Sequence, residues 1–364
     1  MMSNSSSNAT IPKICNLSVM LYATAVFTII ITIIGIIGNL LTIIALYKHP
    51  RVRKHTTSAF IMSLSIADFL FCSINLPFSA SRFIHHTWIH GDSLCIVFPF
   101  LRYVNVGLSL LSIAAITVNR YVFIVHPSWY ERIYQKKYIF SMILSLWVFS
   151  ISLMLPTLFG KWGRFGFDEK IMNCSILEVK GKSPKTFLFI FGFLLPCIVI
   201  VFCYIRIFWV IVRSKTRVRK HSTSDSNEQV KKDPKKQQDW KITKMVLIIF
   251  SSFLICYLPI TIIKVADKRV KYPALHIVSY IFLYMSACIN PLIYGVTNKH
   301  YRKAYKSILI WMKDGVLSVG TKISSYTSQD SSTQMGTVMH TLNSKSGING
   351  DDLVNKNNEK NAKA

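Results

Sequence analysis

The sequence predicts an all-α membrane protein: a seven-transmembrane-helix bundle followed by a short amphipathic eighth helix. Three observations carry this prediction. The apolar residues, 51% of 364, gather in blocks long enough to cross a bilayer as helices, which soluble cores do not require. Lys and Arg, which give a formal charge of +27, fall between those blocks and mostly in alternate connections, as the positive-inside bias demands. Single ionisable residues, Asp68 and Arg120, interrupt blocks that are otherwise apolar, and a charge at that depth is costly enough to mark function. The same placement of charge argues against nucleic acid, which asks for one continuous basic face.

Residues 1–19 are polar and carry N-glycosylation acceptor triplets at Asn4, Asn8 and Asn16. No basic stretch leads into a short apolar core, so the first span is expected to direct its own insertion. That span covers 20–47 and is followed by Lys48, Arg51, Arg53 and Lys54, against Lys13 alone before it. The asymmetry places the N-terminus outside the cell. Further spans are predicted at 58–78, 93–125, 138–158, 186–212, 242–265 and 274–296. The connection 159–185 mixes both charge signs, as suits the outside, and holds a fourth acceptor triplet at Asn173. Residues 213–241 are dense in Lys and Arg and read as a cytosolic third loop, helical near its ends. After the 20–296 membrane domain, 297–313 has apolar positions at Tyr301, Ala304, Tyr305, Ile308 and Leu309, the spacing of a helix lying on the inner leaflet. Residues 314–364 read as a disordered, Ser/Thr-rich cytosolic tail. No Cys/His cluster has metal-ligand spacing.

Ordered motifs run through the spans. They are Gly38-Asn39; Leu64-Ser65-Ile66-Ala67-Asp68; Cys95 and Asn119-Arg120-Tyr121; Trp147 and Pro156; Pro196 and Tyr204; Cys256-Tyr257-Leu258-Pro259; and Asn290-Pro291-Leu292-Ile293-Tyr294. With this set, over roughly residues 20–310, the chain resembles the rhodopsin-family (class A) G-protein-coupled receptors. Within that family, Asn119 in place of the usual Asp and the Asn-Pro-Leu-Ile-Tyr-Gly run are similar to the arthropod moody and trapped-in-endoderm receptors, with melatonin receptors as neighbours.

The resemblance implies a multi-pass receptor of the plasma membrane, with a cytosolic C-terminus, that carries an extracellular ligand signal to a heterotrimeric G protein. It further implies a role in cell migration or in epithelial and glial barrier signalling. Arg120, with Asn119 and Tyr121, is the implied switch, its resting partner Asp239 at the base of span six. Tyr204, Tyr257, Pro259, Asn290, Pro291 and Tyr294 are the implied moving parts. Because Asn119 is neutral, the lock is expected to lean on Asp239, with raised basal activity, since a charged hydrogen bond is about twice as strong as a neutral one. The bland alternative for Arg120 is a guanidinium snorkelling to the interface. Cys95 and Cys174 are the implied disulfide, and Ser324, Ser325, Thr327, Ser328, Ser331, Ser332 and Thr333 the implied targets of receptor kinase and arrestin.

Two positions keep two readings each. Asp68, with Asn39, Asn105, Ser109, Ser286 and Asn290, is either a hydrogen-bonded hub or a Na⁺ pocket; Ser286 replaces a more usual Asn. Arg102, where amine receptors of the family carry an aspartate, disfavours a cationic amine. With Tyr103, Tyr257 and Tyr284 it forms the expected ligand pocket. It either meets an anionic, lipid-like ligand or pairs internally with Asp168, Glu169 or Glu178. A melatonin-like ligand is the other alternative; Tyr284, standing where light sensors carry the retinal lysine, argues against an opsin. A transporter is the distant rival, but an odd number of spans does not divide into the inverted repeats common there. No nucleophile–base–acid set or phosphate loop suggests an enzyme.

Overall fold

The computed structural model describes residues 7–53, 55–221, 234–267 and 270–314; the side chains of 7–17, 214–221 and 234–239 lie outside this description. Seven helices are long and apolar enough to cross a membrane. They are α1 (Ser7–Lys48), α2 (Thr57–His85), α3 (Gly91–Val125), α4 (Lys136–Leu158), α5 (Lys185–Arg213), α6 (Pro234–Ala266) and α7 (Pro273–Thr297). In chain order α1 packs on α2 and α7, α3 on α2, α4, α5 and α6, and α6 on α7. The outward faces are apolar: Phe140 is 71% exposed, Phe208 63% and Ile255 62%. Water does not tolerate apolar surface on that scale, but a bilayer does.

Within the helices, the polar residues satisfy themselves locally, as hydrocarbon requires. Thr24, Thr28 and Thr32 each donate to the carbonyl four residues back, at 2.7 Å. Glycines let α1 approach its neighbours. A Cβ on Gly35 would lie 2.3 Å from Cys72 Sγ, and one on Gly38 would lie 3.0 Å from Pro291. Larger residues there would push α1 off α2 and α7. Trp147 on α4 donates to Ser63 Oγ on α2 at 2.9 Å.

The structure adds detail to the sequence prediction at three places. The first membrane span, Ser18–Lys48, agrees with the predicted 20–47, and its helix extends back to Ser7. The second continues past Phe78 to His85, because a π-helical turn over Phe71–Asn75 shifts the register directly ahead of Pro77 and lets the helix pass it. The 159–185 connection holds a hairpin, β1 (Arg164–Asp168) paired antiparallel with β2 (Asn173–Leu177). Phe165 and Ile176 pack with Val104 of α3 and Met154 of α4. A disulfide joins Cys174 of β2 to Cys95 of α3, with Cα atoms 5.3 Å apart. One glycosylation expectation is corrected here: Asn173 is fully buried on β2, so its amide is out of reach of a glycan. Asn4 and the Ser/Thr cluster of 324–333 lie outside the described residues, as do the side chains of Asn8, Cys15 and Asn16.

After α7, residues 299–314 are helical (α8). Tyr301 and Ala304 are buried while Arg302 and Lys303 are exposed, and Tyr305 bonds Thr42 of α1 at 2.7 Å. Residues 307–364 cluster as a separate unit. In that unit the described helix runs to 314, with Ile308 buried and Leu309 exposed.

Candidate functional site

At one end of the bundle α3 delivers Arg120, 2% exposed, beside a fully buried Asn119. Its Nη2 donates to the Thr57 hydroxyl, at the first turn of α2, and to Asn119 Oδ1 at 3.2 Å. Thr57 in turn donates to Asn119 Oδ1 at 3.2 Å. The neutral amide therefore serves as an acceptor, and α2 supplies a second one. Burial at this depth does not fit an arginine snorkelling to water. The expected Asp239 partner lies on α6, its side chain outside the described residues. Tyr134, in the α3–α4 connection, covers the same cluster. Burial, then Tyr130 and Cys203, push its hydroxyl up to about 12, against the pull of Arg120 and Asn119. Tyr121 bonds His126 at 3.3 Å.

The implied moving parts lie on α5, α6 and α7. The Tyr204 hydroxyl reaches the Thr243 carbonyl of α6 at 3.5 Å. Tyr294 is fully buried and lies 5.3 Å, ring to ring, from Tyr301 of α8. Tyr257, two residues before Pro259, stacks on Phe253 at 4.0 Å.

Asp68, 2% exposed, sits mid-bundle. Its carboxylate accepts from Ser109 Oγ at 3.2 Å and Asn290 Nδ2 at 2.8 Å. The other expected members flank it instead. Asn105 donates to the Ala67 carbonyl at 2.8 Å, and Asn39 to the Gly35 and Ala287 carbonyls at 2.9 Å. Ser286 bonds Leu283 and the Tyr257 hydroxyl, at 2.7 and 3.3 Å. The hub thus ties α2, α3 and α7, and Ser286 links α7 to α6. Its carboxylate, hydroxyl and amide oxygens suit a hard cation, and Asn39 Oδ1 is buried with no partner to occupy it.

At the Cys95 end, Arg102 of α3 is 3% exposed and donates to the Cys174 carbonyl at 3.0 Å. It pairs with no acid among the described residues. Asp267 pairs with His276, at 3.4 Å, and Asp168 accepts from the Lys170 amide at 3.1 Å. The internal-partner reading of Arg102 is therefore corrected: a backbone carbonyl takes the place of Asp168, Glu169 or Glu178. Two further cations join it. Arg82 of α2, 4% exposed, reaches the Ile171 and Met172 carbonyls at 3.5 and 3.4 Å. Arg82, Arg102 and Lys264 of α6 lie 5.5, 5.9 and 5.7 Å from the Tyr280 ring of α7. Arg82 Nε and Nη2, Arg102 Nη1 and the Tyr280 hydroxyl are buried without a hydrogen-bond partner. The hydroxyls of Tyr103 and Tyr284 lie beside Arg102 and Arg82 and interact with the guanidiniums. A cation–π contact contributes about 0.5–2 kcal/mol, whereas desolvating an ion costs several kcal/mol. The cluster is left short of negative charge.

Residues 38–294 match the model of the 7 transmembrane receptor (rhodopsin family). The chain belongs to the rhodopsin family of seven-transmembrane receptors. It is 47% identical over 340 residues to the G-protein coupled receptor moody of Drosophila melanogaster, a match covering 78% of this chain and 51% of that one. It is 40% identical over 308 residues to Protein trapped in endoderm-1 of the same organism, covering 79% and 78%. Melatonin receptors match at lower identity. Among solved structures it resembles squid rhodopsin, with a TM-score of 0.69, 24% identity and coverage of 81% and 87%; that likeness shows the fold. The chain spans about half the length of the moody receptors it matches. Members of this family are receptors, and the chain is a multi-pass protein of the plasma membrane.

Thr57, Arg82, Lys264 and Tyr280 were not singled out from sequence. Arg82 was hidden by ending the second span at Phe78, although an arginine one turn past Pro77 was a visible signal. Lys264 stands at the edge of the predicted sixth span, 242–265, where a lysine carries no signal of its own.

Proposed function

We propose that this protein is a ligand-activated receptor that drives guanine-nucleotide exchange on a heterotrimeric G protein. One observation carries the reading: the fully enclosed Arg120–Thr57–Asn119 triangle at the Arg120 end of a rhodopsin-family bundle. The triangle holds a guanidinium against α2 and α3, away from the face a G protein would approach. Ligand at the Cys95 end favours a packing in which α6 pivots about Pro259. The Tyr204–Thr243 contact between α5 and α6 opens, and Arg120 leaves Thr57 to meet the α-subunit. This is a shift between two packings, and the ligand moves it only as far as its affinities for the two differ.

The Arg120 end faces the cytosol in this reading, with the N-terminus outside, as the distribution of Lys and Arg supports. α8 lies along the inner leaflet, and receptor kinase and arrestin act on the Ser/Thr-rich tail. The chain performs no covalent chemistry itself. Asp68, Ser109 and Asn39 would hold Na⁺ in the resting packing, where the ion would neutralise a carboxylate buried among apolar helices. The test is nucleotide exchange on a panel of G proteins, using membranes that express wild type or Arg120→Ala at equal surface density. Exchange above untransfected membranes that Arg120→Ala removes is expected; equal exchange by both proteins would overturn the reading.

A further inference from the structure

We propose that Arg82, Arg102 and Lys264 form a binding site for an anionic head group of the phosphate monoester class, enclosed beneath the β1–β2 hairpin. The proposal rests on the receptor reading and names the chemistry of its ligand. The three cations come from three helices, α2, α3 and α6, and converge on one ring, Tyr280 of α7, each within 5.9 Å of its centroid. Among the described residues no carboxylate pairs with any of them; Asp267, at the end of α6, is engaged by His276, Lys271 and Tyr272. Five buried polar groups there have no hydrogen-bond partner: Arg82 Nε and Nη2, Arg102 Nη1 and the hydroxyls of Tyr280 and Tyr284. The hairpin roof uses its carbonyls, Ile171, Met172 and Cys174, on the other guanidinium nitrogens, which fixes the two arginines and leaves those donors turned to the interior.

A phosphate monoester supplies what is missing. It carries about −1.5 to −2 charge and three acceptor oxygens, where a carboxylate brings one charge and two oxygens, and guanidinium forks match it in the plane. Lys264 lies 5.9 and 5.7 Å from the Tyr103 and Tyr280 rings, at the edge of the cluster where a ligand would meet it. It stands on α6 five residues beyond Pro259, so drawing it towards α3 and α7 turns α6 at the pivot used in the receptor mechanism. The head group could come from a lysophospholipid or from free phosphate.

The test uses the purified full chain in detergent, without G protein, and reads the melting temperature and displacement of labelled ligand. The probes are 1-oleoyl lysophosphatidate, its neutral counterpart 1-oleoylglycerol, and inorganic phosphate. Lysophosphatidate is expected to bind and oleoylglycerol not to. Arg102→Gln and Lys264→Gln should each weaken binding about tenfold or more, as loss of one partner from a buried charged contact does. Phosphate binding with the same residue dependence would identify the free ion as sufficient; binding by lysophosphatidate alone would identify a lipid. The proposal is overturned if neither phosphate compound binds, if oleoylglycerol binds equally, or if Lys264→Gln, at an unchanged melting temperature without ligand, binds like wild type. Arg120-dependent exchange measured separately on membranes keeps a failure here distinct from a failure of the receptor reading.

Discussion

Arg120 donates to the hydroxyl of Thr57, and Thr57 donates onward to Asn119 Oδ1 at 3.2 Å. This triangle replaces the charged neighbour that most of the family places beside the arginine. A hydrogen bond to a charged group contributes about 1.5–3 kcal/mol. Thr57→Val keeps the shape of the side chain but removes both bonds. Ligand-free exchange should rise by about tenfold, the change that 1.4 kcal/mol makes in a population. Exchange assays at matched surface density check this, and unchanged basal exchange would show that Thr57 does not restrain the arginine.

Asn119→Asp should act in the opposite direction. A carboxylate in place of the amide turns a neutral acceptor into a charged one, and such bonds are about twice as strong. Basal exchange should fall below wild type, and the change in the double variant Thr57→Val/Asn119→Asp should differ from the sum of the two single changes. Additive effects from two residues in direct contact would contradict a shared network.

The Na⁺ reading of Asp68 makes its own prediction. Replacing KCl by NaCl at constant ionic strength should raise the melting temperature of the purified receptor and lower its basal exchange. Asp68→Asn should abolish both responses, because the amide lacks the charge that holds the ion. A sodium response that survives Asp68→Asn would place the ion elsewhere.

The Asp267 cap gives a pH dependence. Some desolvation raises its carboxyl, but hydrogen bonds from the Lys271 and Tyr272 amides, then His276, outweigh it and hold the group below the usual range. A depressed folded pKa means the cap's contribution is present above the unfolded value, about 3.9, and is lost as pH falls through the lower folded value. Amide exchange at Lys271 and Tyr272 should therefore stay slow from pH 7 down to about 4 and quicken only below it. Asp267→Asn should show quick exchange throughout.

The disulfide positions the Cys174 carbonyl against Arg102. Cys95→Ser should lower the melting temperature, since a native disulfide contributes about 2–4 kcal/mol, and should remove ligand binding even where protein reaches the surface. Binding that survives Cys95→Ser would separate the hairpin from the ligand site.

The sequence made the bundle legible because span length and hydropathy are local signals: each apolar block specifies its helix without reference to the others. Asp68 and Asn290 were also legible, since isolated polar groups in hydrocarbon must find each other. The hairpin was not, because five-residue strands such as Arg164–Asp168 carry too little pattern among mixed charges. Nor was the cation cluster. Arg82, Arg102 and Lys264 are far apart in the chain, and only the packing of α2, α3 and α6 around Tyr280 brings them together. Thr57 escaped for the same reason: a threonine at a helix start reads as a cap until the arginine it holds is seen.

The most direct measurement follows α6 itself. A fluorine label at Lys241→Cys, an exposed position on α6, in a Cys15→Ser background, reads helix position by NMR; the free cysteines among the described residues are buried. Two resonances are predicted, with the minor one growing by about tenfold relative to the major in Thr57→Val, in step with its exchange activity. A single resonance, identical in wild type and Thr57→Val, would contradict a switch held by Arg120 and Thr57.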